Sequence, residues 1–394
     1  MKYKTIDADN HYYEPDDCFT RHIEAPYRDR AIHLVDGRHG RTWLVGDNPI
    51  SYIPSNTGDE TWAPGVTAKF FAGEADSKGE TLRPEDKINP HDIPGLFNRH
   101  ERLKLMDSQE IEAIIQLPTL GVLFEHDMAH DPEVLFANIR AFNRWVEDDW
   151  GYGADGRIFG VPVLSMVDVE AAATEVDRVA ALGAKFVYLK VGPIGDRSPA
   201  DPYFDQIWAR IDDAGIKPIY HVTNSGYVDW FATRWSERGN IMLPKYSAFQ
   251  HLTCNIDRPA HDTFGALVLH NLFGRFPGLQ VLSIENGSSW VAPLLKGMDK
   301  AAKMGEYGRW IGGKLDHKPS DIFRAHCHVV PFHEDVMSPL AELIGIGRML
   351  FGSDYPHGEG LAEPNEFADR LHGFSDAEVR LVMRDNASRL LALA

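Results

Sequence analysis

The sequence predicts an α/β protein, a (β/α)8 TIM barrel with long loop insertions. Three observations carry that expectation. Short apolar runs alternate with amphipathic stretches along most of the 394 residues, and strands alternating with helices build βαβ units with a parallel sheet. About eight such units are present, the number that closes a barrel. No G-x-G-x-x-G follows the first strand, which weakens the runner-up, an open doubly wound sheet.

The elements follow in order. Residues 4–9 form a first strand and 113–117 (AIIQL) a second. A helix over 132–150 carries Val134, Leu135, Ile139, Phe142, Trp145 and Val146 at helical spacing. The third strand, 158–164 (IFGVPVL), precedes a helix over 168–182 closed by Gly183. The fourth, 185–191 (KFVYLKV), precedes a helix over 202–214 that ends at Gly215. The fifth, 217–222 (KPIYHV), is followed by a helix over 260–276. The sixth, 279–284 (LQVLSI), is followed by a helix over 288–304. A weak seventh strand at 329–332 leads into a helix over 335–344. The eighth, 348–352 (RMLFG), leads to a helical tail over 375–393.

One domain, residues 1–394, accounts for the chain, with insertions at about 31–98 and about 223–257. The first insertion is rich in Gly, Pro, Asp and Asn and has no clear period. It carries Trp43, Tyr52, Trp62, Phe70 and Phe71. Two readings stand side by side: a lid over the active face of the barrel, and a surface excursion or dimer contact.

Composition narrows the function. At 43% hydrophobic and 25% charged the chain is not disordered. A net charge of −18 argues against nucleic-acid binding and against attraction to an anionic membrane. No run of 18 apolar residues and no N-terminal apolar segment occur, so neither a membrane span nor a signal peptide is expected. Cys18, Cys254 and Cys327 form no C-x-x-C pair. That excludes a disulfide framework and a zinc ribbon and favours a reduced, cytoplasmic setting.

Histidine is the unusual count, at 18. Two of them stand beside acids at opposite ends of the chain, in DADNH and SDYPH. Strand side chains alternate with period two, so Asp9 and His11 share a face at the end of the first strand. His221 ends the fifth strand, and Asp354 follows the eighth apolar run. Taken singly, each is more often a turn, rim or core residue. In a barrel the C-terminal strand ends converge on one mouth, and these four are metal-ligand types.

With those motifs on the page, the chain resembles the amidohydrolase superfamily. Within it, the resemblance is to the amidohydrolase-related group of aminocarboxymuconate-semialdehyde decarboxylase-like enzymes. IDADNHYYEP at 6–15, PIYHV at 218–222, LFGRFPGLQVLSIENGSSW at 272–290 and RMLFGSDYPHGEG at 348–360 carry it, in order along nearly the whole chain. The resemblance implies a barrel of the metal-dependent hydrolase type. It also implies one divalent metal ion held by Asp9, His11, His221 and Asp354, with Asp354 handling a proton as well. Zinc is favoured, with manganese or iron as alternatives.

The chain departs from the family pattern in two places. Asp9 stands where Asp-x-His-x-His usually puts a histidine. Glu14 then becomes a ligand, a residue holding a ligand imidazole, or a turn residue before Pro15. Glu285 stands where several decarboxylases have a histidine. It is expected to transfer a proton, orient a ligand, or bond a barrel neighbour. Lys190 matches the place of a carbamylated, metal-bridging lysine in some relatives. A role in binding a substrate carboxylate, or in a salt bridge, is preferred here. His251 is expected to reach the mouth from the second insertion, and His357 to line the pocket. His270 and the group His326, His328 and His333 are expected to be structural.

These parts imply a metal-dependent enzyme acting on a small molecule. Non-oxidative decarboxylation, a carboxy-lyase reaction on an aromatic or unsaturated carboxylic acid, is favoured. The alternative is hydrolysis of an amide, ester, lactone or C–C bond by metal-activated water. A non-catalytic ligand-binding barrel is the remote alternative. A homodimer is expected.

Overall fold

Seven parallel strands and one further extended segment close a barrel in sequence order. The structure is a computed structural model that describes residues 2–37, 40–50, 60–68, 83–241, 245–255 and 257–393; Tyr52, Phe70 and Phe71 lie outside them. The barrel strands are β1 (Thr5–Tyr12), β2 (Ile111–Pro118), β3 (Ile158–Gly160), β4 (Phe186–Lys190), β5 (Lys217–His221), β6 (Val281–Ile284) and β7 (Cys327–Val329). Ladders join β1 to β2 to β3, and β4 to β5 to β6 to β7, all parallel.

Single pairings close the two gaps. Between β3 and β4, Tyr188 N donates to Pro162 O at 2.9 Å and Leu164 N to Tyr188 O at 3.0 Å. The expected third strand thus stops early as a ladder, because Pro162 has no N–H to donate. Residues 349–355 form the eighth segment. On one side Leu350 N donates to Val329 O at 3.0 Å; on the other Ala8 N donates to Phe351 O and Asp354 N to Asp9 O, both at 2.8 Å.

Helices cover the outside. They include α1 (Arg99–Ser108), α2 (Pro132–Asp149), α3 (Val169–Ala181), α4 (Asp205–Asp213), α5 (Asp257–Leu269), α6 (Val291–Met304) and α7 (Met337–Ile344). Side chains cap the starts of α2 and α3: Asp131 accepts from Val134 N at the head of α2, with Pro132 at its first position, and Asp168 accepts from Ala171 N at the head of α3. All six apolar positions expected to face inward from α2 are buried. The helix expected over 260–276 breaks after Leu269, where Asn271 takes a left-handed φ of 54°. The tail expected as one helix divides into Asp376–Arg380, a π turn at Leu381–Asp385, and Asn386–Leu391.

The first insertion holds more structure than its composition announces. Ile32–Gly37, Gly40–Val45 and Asn48–Pro49 form an antiparallel sheet, and Thr61–Trp62 pairs with Lys87–Ile88. Trp43 is buried edge-on against Phe19, so it packs in the core. The stretch 61–67 rests on the turn after the eighth segment: Thr67 N donates to Gly358 O at 2.7 Å and Gly65 N to His357 O at 3.4 Å. That stretch therefore lies beside the barrel mouth. The second insertion has a small core of its own, Tyr227, Val228, Ala232 and Cys254. The His126 imidazole, 2.8 Å from the Asp229 carboxylate, ties it to the loop after β2.

Candidate metal centre

The ends of β1, β5, β6 and the eighth segment bring a compact set of donors together. Ligand-type atoms of Asp9, His11, His221 and Glu285 lie within 4.8 Å of one another, as do those of His11, Glu285, Asp354 and His357. His11 Nε2 is 3.1 Å from Asp9 Oδ1 and 3.4 Å from Asp354 Oδ1. His221 Nε2 is 2.8 Å from Glu285 Oε2 and 3.9 Å from Asp9 Oδ1. His221 Nδ1 is 2.8 Å from the Val222 carbonyl. Donation there leaves Nε2 as the free nitrogen, facing the carboxylates.

Backbone shape aims two of the acids. Glu285 has φ 52° and Asp354 has φ 55°, left-handed values uncommon for any residue but glycine. Such conformations persist where the surroundings over-determine them, often at functional sites. Behind Glu285, Asn286 Nδ2 donates to Tyr220 O at 2.8 Å and to Ile284 O at 2.9 Å, pinning the β6 end to β5.

Electrostatics supports a cation here. Burial raises the Asp9 carboxyl well above the usual range, helped by Glu285 and Asp7 and opposed by His221. Burial raises Asp354 in the same way, with Glu285, Asp9 and Glu359 adding to it. Burial alone would depress His221, but Glu285 and Asp9 outweigh it and lift the imidazole to about 9. His11 is held well below its usual value by burial, with His357 and His221 adding to it. Several acids and the imidazoles of His11, His221 and His357 thus share one largely buried site. His221 Nε2 is buried yet makes no hydrogen bond of acceptable geometry, despite the nearby carboxylate. Oxygen and imidazole donors in two overlapping groups that share His11 and Glu285, with His11 Nδ1 and His221 Nε2 lacking hydrogen bonds of acceptable geometry among the described residues, fit a divalent cation of the zinc, manganese or iron type.

His357 is bound into the same site. Thr119 Oγ1 donates to Tyr12 O at 2.7 Å, so it accepts from His357 Nε2, 2.9 Å away. That assignment leaves His357 Nδ1 facing Asp354 Oδ1 at 2.6 Å, with one proton held between them.

The remaining sequence-predicted residues lie elsewhere. Glu14 is buried, but its Oε1 accepts from Leu120 N at 2.7 Å and Gly121 N at 3.0 Å, not from an imidazole. It therefore shapes the loop that carries Thr119, and burial pushes its carboxyl up to about 7. Lys190 Nζ turns to the Val191 and Pro193 carbonyls at 3.3 and 3.2 Å. The charged group acting on it is Glu125, whose own carboxylate is buried and raised by that burial. His251 is exposed on the helix Ala248–Cys254 with its ring against Tyr246, because that helix packs its other side inward. Neither Lys190 nor His251 joins the donor cluster. His326 bonds the Leu279 carbonyl at 2.8 Å and stacks on Phe273, and His328 sits against Arg348 at 2.8 Å, both structural contacts.

Sequence reasoning passed over several residues of the site. Asp7 is fully buried beneath Asp9, and burial pushes its carboxyl up to about 6. Its signal was available, since it shares the period-two face of Asp9 and His11. Glu359, inside SDYPHGEG, is raised by burial beside His357 and Glu285, and it accepts from Thr67 Oγ1 at 3.3 Å. Arg102 on α1 is buried and donates to His11 O at 2.7 Å, to Gly95 O at 3.2 Å, and to Asn10 Oδ1. Nothing local in the sequence signalled it.

Comparison with known proteins agrees with this picture. A model of the amidohydrolase family matches residues 101–393. Among solved structures, an amidohydrolase from Mycobacterium avium subsp. paratuberculosis K-10 is 37% identical, with a TM-score of 0.90 over 99% of this chain and 100% of that one. The 5-carboxyvanillate decarboxylase of Sphingomonas paucimobilis shares the fold at 19% identity, TM-score 0.62, over 99% of each chain. That of Novosphingobium aromaticivorans DSM 12444, complexed with manganese and 4-hydroxy-3-methoxy-5-nitrobenzoic acid, shares it at 15% identity, TM-score 0.60, over 99% of this chain and 96% of that one. No curated protein matches the chain. Among the described residues, no helix is long and apolar enough to cross a membrane.

Proposed function

We propose that this chain, which belongs to the amidohydrolase family, is a metal-dependent carboxy-lyase acting on an aromatic or unsaturated carboxylic acid. The observation that carries this reading is the pair of overlapping donor groups at the barrel mouth, Asp9, His11, His221 and Glu285 in one and His11, Glu285, Asp354 and His357 in the other. Asp9, His11, His221 and Asp354 would hold one divalent ion, with zinc favoured and manganese or iron fitting the same donors. When bound, the ion supplies positive charge that grips a substrate carboxylate and a neighbouring oxygen.

The chain's own groups do the rest. The carbon–carboxylate bond breaks, CO2 leaves, and the electron pair left on carbon takes a proton. The proton held between Asp354 Oδ1 and His357 Nδ1, 2.6 Å apart, makes Asp354 the donor. Thr119 fixes the far side of the His357 ring, so the pair keeps one orientation. Glu285 Oε2 lies 2.8 Å from His221 Nε2, and Glu285 is the second candidate donor. Structural neighbours named as decarboxylases of an aromatic carboxylic acid share the fold, which supports the substrate class.

Glu285 also supports a second reading, metal-dependent hydrolysis of an amide, ester, lactone or C–C bond. It stands where decarboxylases of the resembling group carry histidine, and the 37% identical relative is named an amidohydrolase. In that reaction Asp354 takes a proton from water and passes it to the leaving group. Incubation with a panel of aromatic acids, with CO2 measured directly, separates the two. CO2 release that depends on added metal and on Asp354 supports the carboxy-lyase. Turnover of esters or amides with no CO2 from any acid replaces it with the hydrolase. A homodimer in a cytoplasmic setting completes the proposal.

A further inference from the structure

We infer that Asp7 is a positioning residue of the metal centre: it clamps the two chain segments that carry Asp9, His11 and Asp354. The inference rests on the metal reading above and deepens it. Asp7 is completely buried, yet it is no part of the donor cluster. Its two carboxylate oxygens accept four hydrogen bonds. Oδ1 accepts from Asp9 N at 3.1 Å and from Ser353 N at 3.0 Å. Oδ2 accepts from Asn10 Nδ2 at 2.8 Å and from Ser353 Oγ at 2.5 Å.

The place of the clamp matters. The pairing of β1 with β2 shifts register between Asp7 and Asn10, so the ladder alone does not set where Asp9 points. The eighth segment has no continuous ladder on either side; single pairings hold it. Asp7 therefore supplies what the sheet lacks at this seam. It bonds the backbone of Asp9 on one side and Ser353, the neighbour of Asp354, on the other. Ser353 Oγ passes the constraint on, accepting from Tyr355 N at 3.1 Å. Asp354 sits between these two fixed residues in its left-handed conformation.

Asp7→Asn keeps the shape and the two Oδ1 bonds but sets an NH2 against the Asn10 NH2, donor against donor. Ser353→Ala removes the hydroxyl link to Asp7 together with the acceptor for Tyr355 N, and leaves the Ser353 N bond to Asp7 in place. Wild type, D7N, S353A and the double variant are stripped with a chelator and titrated with MnCl2, following free Mn2+ by electron paramagnetic resonance. Thermal midpoints of the stripped proteins are recorded alongside. The expected result is Mn2+ affinity lower by roughly 10–100-fold in D7N, the range seen when a residue supporting a ligand is lost. S353A is weaker than wild type in the same direction, and the loss in the double variant is smaller than the two single losses combined, as expected for two residues that share a contact. D7N with a lower midpoint but affinity within about twofold of wild type overturns the inference, because the clamp is then merely structural. Should D7N not fold, S353A at wild-type affinity overturns it equally. A wild-type chain that takes up no Mn2+ overturns the metal reading, and this inference with it.

Discussion

Arg102 shows how much a single buried side chain can hold. Among the described residues no carboxylate is bonded to its guanidinium, which sits over the Tyr355 ring at 5.7 Å while serving oxygens of Gly95, Asn10 and His11. Burial lowers it to about 10, so it stays charged at neutral pH. Replacing it with methionine fills the volume and strands three oxygens at the base of the site. We expect Arg102→Met to lower stability by about 3 kcal/mol, measured by urea unfolding. At the centre itself, His221→Ala should remove the bound metal, read by elemental analysis of the purified protein. Asp354→Asn should cut turnover by roughly 100-fold or more while the fold survives, since it removes the proton-handling carboxylate. The acids and imidazoles at strand ends were legible because their alternation and position need only local geometry. Arg102 and Glu14 act across loops, and no local pattern announces such contacts.

At the scale of elements, the seam between β1 and the eighth segment leaves no room for a side chain at Gly352. A Cβ on Gly352 would lie 2.5 Å from Asp9 Cβ and 2.5 Å from Val330 Cγ1. Glycine is required there by close approach, not by an unusual φ. Gly352→Ala should cost about 1–3 kcal/mol and push Asp9 outward; a lower thermal midpoint together with weaker metal uptake would show both. Most strands and helices were legible from period and turn residues. The exceptions have physical reasons. The third strand stops pairing at Pro162, which has no amide proton, and the long helix after β5 breaks at Asn271. The first insertion's sheet was missed because His33, Asp36, Gly37, Gly40 and Arg41 break up its apolar alternation and read as turn and surface residues. Its aromatic residues divide by place: Trp43 belongs to the core, while Trp62 contacts Lys87 and lies beside Gly358 near the mouth.

At the scale of the molecule, the two ends of the barrel carry different chemistry. Far along β7 from the mouth, His328 is buried against Arg348, whose Nη1 lies 2.8 Å from its Nε2. Burial first, then the Arg348 and Lys217 charges, holds the imidazole down to about 3. Above pH about 6.5 both folded and unfolded chains carry this histidine neutral. As pH falls below that, the unfolded chain takes a proton that the folded chain refuses, so stability drops until about pH 3. His328→Gln should make the urea-unfolding free energy fall less steeply through that window, by up to about 1.4 kcal/mol per pH unit. An unchanged slope in the variant would contradict this account.

The sequence by itself determined the α/β class, the order of strands and helices, and which acids and imidazoles end the strands. Those features rest on periodicity and local backbone preference, which neighbouring residues carry. Only the tertiary structure decided which of them meet. It gathered Asp9, His11, His221 and Glu285 into one group and His11, Glu285, Asp354 and His357 into a second that overlaps it, turned Lys190 toward backbone carbonyls, and left His251 in solvent. It also disclosed Asp7, Thr119 and Glu359 as neighbours of the site. The reason is closure. Residues more than 340 positions apart, such as Asp7 and Ser353, become partners only when the eighth segment returns to the first strand, and no local pattern records where that seam will fall.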